Sequence, residues 1–134
     1  MRIVKCFWPV FLWAILILIA CGLPGDDFSN SKLLLIPNFD KFVHFSFYFG
    51  LNFLLILGFE WYHAKHIGRI YVSSLIVCVL YGGLIEIMQD TIFIHRSADW
   101  FDFLANSIGA IAGLLVYLIS RTLIIRLFKI NKTV

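Results

Sequence analysis

The sequence predicts an all-α integral membrane protein with four transmembrane helices and both termini in the cytoplasm. Apolar residues make up 61% of the chain and charged residues only 14%, against about 45–50% and about 25% in soluble domains. Four segments are long enough to cross a hydrocarbon core of about 30 Å, which takes about 20 helical residues. The basic residues are distributed unevenly between the two sides of these segments. Together these features argue against a water-soluble fold.

The four predicted spans cover residues 3–20, 42–59, 70–89 and 100–119. An outer loop at 21–39 and an inner loop at 60–69 connect them, and residues 1–134 form a single membrane domain. The C-terminal tail at 120–134 interleaves apolar with basic residues, a pattern that suits a helix end lying against anionic lipid. The net charge of +3 comes from residues near span ends, so it indicates membrane topology and not nucleic-acid binding.

The first span has an alternative interpretation as a signal segment. A basic start precedes it, and Leu18-Ile19-Ala20-Cys21 at its end resembles a bacterial lipoprotein cleavage site. Cleavage before Cys21 would leave three spans, with Asp40 still outside. Cys6, Cys21 and Cys78 form no CxxC pair and no zinc-ligand spacing, so they are expected to be unpaired thiols.

The orientation follows from the basic residues, because Lys and Arg near span ends stay on the cytoplasmic side during insertion. With both termini inside, eight of the 11 basic residues lie inside and three lie outside, namely Lys32, Lys41 and Arg96. This bias predicts a multi-pass protein of the bacterial cytoplasmic (inner) membrane.

Polar residues inside three of the spans and just before two of them are predicted to gather at the outer membrane surface. Their spacing of three and four places them on one face of each helix, and a rise of 1.5 Å per residue places the innermost within about 10 Å of the outer surface. Ionisable groups within a membrane span are functional candidates by default. The predicted cluster contains Asp40, Lys41, His44, Glu86, Gln89, Arg96, Asp99, Asp102 and Asn106. Few polar residues occur in the inner halves, so a transport path across the whole membrane lacks support.

Each of these residues also has a purely structural interpretation. Asp40 and Asp99 can act as helix N-caps, and Asp102 as the third-position acid of a cap. Lys41 is best explained as an interfacial lysine that extends toward the headgroups. Arg96 is the natural partner for a carboxylate of the cluster, above all for Glu86, which lies near the unfavourable end of a helix dipole.

The remaining residues have packing alternatives. His44 can be a hydrogen-bonded core histidine, and Gln89 and Asn106 can form hydrogen bonds between helices. Gly109-x-x-x-Gly113 is predicted to be a close-packing surface, which would also permit oligomers.

The order of these motifs resembles the VanZ-like membrane protein family over about residues 40–118. The motifs are Asp40-Lys41-x-x-His44-Phe45, Gly83-x-x-Glu86-x-x-Gln89 and Arg96-x-x-Asp99-x-x-Asp102-x-x-x-Asn106-x-x-Gly109-x-x-x-Gly113. The resemblance implies a small multi-pass protein of the bacterial cell envelope, related to an accessory determinant of resistance to the glycopeptide antibiotic teicoplanin. It implies no particular reaction, and resistance itself need not transfer to this chain.

Three functions remain open from the sequence. The first is an accessory protein that binds a polar headgroup, a lipid-linked ligand or a glycopeptide at the outer leaflet. The second is a membrane-embedded enzyme acting on a lipid-linked substrate, with His44 and Glu86, Asp99 or Asp102 as acid and base or as metal-binding groups. The third is an assembly partner that uses Gly109 and Gly113. No cofactor or metal site is predicted, because no catalytic or metal-binding motif is complete, although the carboxylates permit a divalent metal.

The predicted topology can be checked by cysteine labelling in a cysteine-free background. Asn30→Cys and Ser97→Cys should react with a membrane-impermeant thiol reagent in intact cells, because both positions lie in outer segments. Ala64→Cys in the inner loop should react only after the cells are opened. Labelling of Ala64→Cys alone in intact cells would invert the topology.

Overall fold

The computed structural model describes residues 2–23, 38–62, 66–94 and 96–127 of the chain. These residues form four helices: α1 (Arg2–Gly22), α2 (Phe39–Trp61), α3 (Ile67–Thr91) and α4 (Trp100–Leu127). Each helix is long and apolar enough to cross a membrane, and no strand occurs in the described part. The predicted all-α architecture with four spans is therefore confirmed.

The helices are longer than the predicted spans, most clearly at the C-terminus. α4 continues to Leu127, so the first part of the predicted tail at 120–134 is helical, and residues 128–134 lie outside the described residues. The outer loop also falls largely outside them, at 24–37. The difference arises because a hydropathy window measures only the hydrocarbon core, whereas backbone hydrogen bonding continues into the headgroup layer.

The most extensive helix contact joins α2 and α4. A Cβ atom added at Gly109 would meet the carbonyl oxygen of Phe45, and one added at Gly113 would meet that of Phe49. Small residues allow this approach of two backbones in lipid, where close packing drives association. The predicted packing role of both glycines is confirmed within one chain. Oligomerisation through them remains a prediction, and it would require α2 to be displaced.

Hydrogen bonds from side chains to backbone carbonyls connect the other helices. The Asn52 amide nitrogen donates to the carbonyl oxygen of Ala110 at 2.8 Å, between α2 and α4. α1 is attached on two sides, because Trp13 Nε1 donates to the Phe47 carbonyl at 2.8 Å and the Tyr81 hydroxyl donates to the Ala14 carbonyl at 2.7 Å. Such bonds keep polar groups paired inside the bundle.

An ion pair that was not predicted from the sequence joins the far ends of α2 and α4. Arg121 Nε donates to Glu60 Oε1 at 2.7 Å, and Glu60 is buried. We call this end of the bundle the Glu60 end. Arg121 thus pairs with an acid, and it is also one of the basic residues predicted to lie on the inner side.

We expect the α2–α4 contact to respond sharply to a single methyl group. Gly109→Ala should lower the stability of the detergent-solubilised protein by about 1–3 kcal/mol or more, because the new Cβ overlaps a backbone carbonyl that cannot rotate away. Gly83→Ala is the matched control, since a Cβ there meets only Phe103 at 3.6 Å and alanine favours a helix. Thermal unfolding measures both variants, and equal melting temperatures would contradict the close contact.

Candidate functional site

The first turns of α2 and α4 and the last turns of α3 lie together at one end of the bundle, which we call the polar end. Ion pairs and hydrogen bonds between the three helices show this directly. Eight of the nine predicted cluster residues belong to these turns or to the residue just before α4, and Arg96 lies in the connection between α3 and α4. The end of α1 also reaches this level, because Gln89 Nε2 donates to the Cys21 carbonyl at 3.3 Å.

Lys41 joins α2 to two acids at the start of α4. Its Nζ lies 3.0 Å from Asp99 Oδ2 and 3.3 Å from Asp102 Oδ1. The expectation of a lysine that merely extends to the headgroups was wrong. Because α2 lies so close to α4, the ammonium reaches both carboxylates without extending into the interface.

Asp99 caps α4, as predicted. Its Oδ1 accepts a hydrogen bond from the Phe101 backbone N–H at 2.9 Å. This bond and, after it, the Lys41 ammonium hold the pKa of Asp99 below its usual range. The stabilisation from ionised Asp99 is therefore present at neutral pH and is lost as the pH falls through that lowered pKa. The predicted capping role of Asp40 is not found, because Asn38 occupies the N-cap position of α2 without a side-chain hydrogen bond.

Glu86 of α3 supplies a capping hydrogen bond to the start of α4, although it belongs to another helix. Its Oε2 accepts a hydrogen bond from the Asp99 backbone N–H at 3.1 Å, the group that a third-position acid would otherwise bind. Asp102 occupies that third position and pairs with Lys41 instead, so its predicted capping role was wrong. Glu86 is only 7% exposed, and this bond helps to compensate the burial of its carboxylate.

Arg96 does not bridge to a carboxylate among the described residues, in contrast to the expectation from the sequence. Its Nε donates to the carbonyl oxygen of Leu23 at 3.1 Å, just beyond the end of α1. Carbonyls at a helix C-terminus lack partners within the helix and attract basic side chains. Arg96 therefore ties the α3–α4 connection to α1, while Lys41 neutralises the acids.

His44 and Asn106 extend the network below Glu86. His44 Nδ1 lies 3.1 Å from Asn106 Oδ1, and Asn106 Nδ2 donates to Glu86 Oε1 at 3.5 Å. The same His44 nitrogen lies 3.8 Å from Glu86 Oε1. This geometry agrees with two structural alternatives from the sequence: His44 is a hydrogen-bonded core histidine, and Asn106 forms hydrogen bonds between helices.

Two acids at the polar end lack hydrogen bonds within the described part of the chain. Asp90 is exposed on the last turn of α3. Asp40 has a 47% exposed side chain, and its Oδ1 lies 3.9 Å from His44 Nε2. One ligand atom each from Asp40, His44 and Asp102 lies within 4.8 Å of the other two, so these residues are the described group that can hold a metal ion.

A cavity of about 340 Å³ opens between the end of α3 and the start of α4. Its walls combine carboxylates with aromatic and aliphatic side chains: Gly83, Glu86, Ile87, Asp90, Thr91, Ala98, Asp99, Trp100 and Phe103. The aromatic walls and Asp90 were not part of the cluster predicted from the sequence. Two features of the sequence point to them: Asp90 lies one residue after Gln89, and aromatic residues surround Asp102.

A double-mutant cycle tests whether Lys41, and not Arg96, neutralises the acids. We expect Lys41→Met and Asp102→Asn to be coupled by about 0.5–3 kcal/mol, because the two groups share one ion-pair network. Arg96→Gln with Asp102→Asn is the control and should be additive to within about 0.5 kcal/mol. The stabilities come from thermal unfolding in detergent. Coupling in the Arg96 pair and additivity in the Lys41 pair would reverse the assignment.

Comparison with known proteins identifies the family of the chain. No curated protein and no solved structure matches significantly. A sequence model of the VanZ/LLP1 family matches residues 6–123, which include all four helices apart from a few terminal residues. The resemblance drawn from the motifs of the polar end is confirmed, and the chain belongs to the VanZ/LLP1 family.

Proposed function

We propose that this chain is a cell-envelope accessory protein that binds the amine-bearing polar headgroup of a lipid or lipid-linked ligand at the polar end. The observation that carries the proposal is the cavity between α3 and α4, which combines three carboxylates with apolar walls. Ligand sites of this kind are mostly apolar, with a few polar groups that orient the ligand.

The charge balance of the polar end favours a ligand that carries a positive charge. Asp40, Glu86, Asp90, Asp99 and Asp102 are five acids, and the Lys41 ammonium is the cation paired with them in the described residues. Arg96 is directed to the Leu23 carbonyl. A primary amine provides three N–H donors and one positive charge, which suits a cavity lined by Glu86, Asp90 and Asp99.

The cavity walls favour a ligand that also has an apolar part. Ile87 is exposed and Trp100 is 84% exposed, on helices that are long and apolar enough to span a membrane. Exposed aromatic residues near the end of a span are typical of the headgroup boundary. An acyl chain can therefore lie against Ile87, Trp100 and Phe103 while the headgroup contacts the acids.

The proposed location of the polar end follows from the uneven distribution of basic residues along the sequence. With both termini in the cytoplasm, the polar end faces the outer leaflet of a bacterial inner membrane. A protein that holds surface lipids there can change how large polar antibiotics reach the cell wall. We therefore include an effect on susceptibility to glycopeptides such as teicoplanin in the proposal.

The second candidate is a membrane-embedded enzyme acting on a lipid-linked substrate. The observation that favours it is the His44–Asn106–Glu86 chain of hydrogen bonds next to Asp102, because a positioned histidine and a carboxylate are the groups of acid–base catalysis. Conversion of a bound lipid to a new product would favour this candidate.

Lipid titration followed by native mass spectrometry tests the binding proposal. The purified full chain should bind phosphatidylethanolamine more tightly than phosphatidylglycerol with the same acyl chains, because only the former carries an amine. Asp90→Asn should weaken phosphatidylethanolamine binding by about tenfold, the loss expected for one charged hydrogen bond.

Asp40→Asn is the matched control, since it removes a carboxylate at the same end that does not line the cavity. Its phosphatidylethanolamine binding should equal that of the wild type. Equal binding of the two lipids by the wild type, or an unchanged affinity in Asp90→Asn, would contradict the proposed headgroup site.

A further inference from the structure

The second ring nitrogen of His44 faces an acid of the polar end without a hydrogen bond. The side chain is only 4% exposed, and its Nδ1 is bound to Asn106 Oδ1. Nε2 has no hydrogen bond to any residue in the described ranges. It points instead toward the carboxylate of Asp40, at 3.9 Å, which is beyond hydrogen-bonding distance. A histidine nitrogen that faces a carboxylate without a hydrogen bond can bind a cation between the two groups.

The hydrogen-bond chain below His44 favours a ring N–H at Nδ1. Asn106 uses its Nδ2 to donate to Glu86, so its Oδ1 is the acceptor for the N–H at His44 Nδ1. In the imidazole tautomer with its N–H at Nδ1, Nε2 is the nitrogen whose lone pair can bind a metal ion. Metal-binding histidines are commonly held in this way by a partner on the second nitrogen.

The geometry around Nε2 brings two further ligand atoms close together. Oxygens of Asp40 and Asp102 and a His44 nitrogen all lie within 4.8 Å of one another. Around a tetrahedral Zn²⁺ ion, with bonds of about 2.0–2.1 Å, ligand atoms are about 3.3 Å apart. Asp40 is the group able to close this gap, because its side chain is half exposed and lies in the first turn of α2. Lys41 contacts Asp102 through Oδ1, which leaves the second oxygen of Asp102 available.

We propose that Asp40, His44 and Asp102 form a binding site for a divalent transition-metal ion, for which Zn²⁺ is the best match. One imidazole nitrogen with two carboxylates favours Zn²⁺ over Mg²⁺ or Ca²⁺, which prefer oxygen ligands alone. Three protein ligands leave a fourth position for water or an anionic group of a ligand. The site uses residues outside the α3–α4 cavity, so it does not depend on the headgroup proposal.

Metal titration of the purified full chain tests this site. The protein is prepared without a histidine tag, stripped with a chelator and titrated with Zn²⁺ alone, and bound metal is measured by elemental analysis and by calorimetry. About one tightly bound Zn²⁺ per chain is expected. Asp40→Asn and His44→Gln should each weaken binding by at least about tenfold, since even loss of a group that orients a ligand costs that much.

Asp90→Asn is the matched control, because it removes an exposed acid at the same end that is not among the three ligands. It should bind Zn²⁺ as the wild type does. Asp40→Asn keeps the test decisive if His44→Gln fails to fold, because Asp40 makes no hydrogen bond to a described residue, and its thermal unfolding without metal should match the wild type.

Three results would overturn the site: no stoichiometric Zn²⁺ on the wild type, unchanged affinity in Asp40→Asn, or loss of Zn²⁺ in Asp90→Asn alone. The last result would move the metal to the cavity. Phosphatidylethanolamine binding, measured with the chelator present, shows separately whether the headgroup proposal holds.

Discussion

The contact of α2 with α4 at Gly109 and Gly113 determines where the polar groups of this protein lie. Both glycines allow α4 to meet the backbone carbonyls of Phe45 and Phe49 directly, and two helix axes can come this close only where no Cβ intervenes. The same approach brings the Lys41 ammonium to the two acids at the start of α4. It also brings the Asn52 amide to the Ala110 carbonyl. A wider separation would leave these polar groups unpaired in the bundle, where water is scarce.

The acids of the polar end differ in whether they have partners within the described residues, and this difference separates structural from available carboxylates. Lys41 pairs with both Asp99 and Asp102, while Glu86 accepts hydrogen bonds from the Asp99 backbone and Asn106. Asp40 and Asp90 have no hydrogen bonds within the described ranges and lie at opposite sides of the network, beside His44 and in the cavity respectively. An uncompensated charge near a membrane is unfavourable unless a ligand or ion neutralises it. These two acids are therefore the ones that our proposals assign to a headgroup and to a metal ion.

The polar end combines a rigid network with an open cavity. The hydrogen bonds from His44 through Asn106 and Glu86 to the start of α4 link three helices and hold the side chains in place. A binding site needs such support, because small displacements of the contacting groups weaken recognition. The cavity beside this network has apolar walls that suit the chain of a lipid. A metal ion at Asp40, His44 and Asp102 would add a positive centre next to it.

The sequence by itself determined the number of helices, their approximate bounds and the face of each helix that carries polar residues. These features follow from the thickness of the bilayer and from the helical repeat, which are both properties of local sequence. The cap by Asp99 and the packing of Gly109 and Gly113 also followed from local patterns. Only the tertiary structure decided which charges pair. Lys41 and Arg96 have side chains long enough to reach several acids, and the choice of Lys41 depends on the distance between α2 and α4. The same reason explains why Glu60 and Arg121, 61 residues apart in the chain, were not recognised as a pair: their contact depends on how whole helices pack, which no short stretch of sequence records.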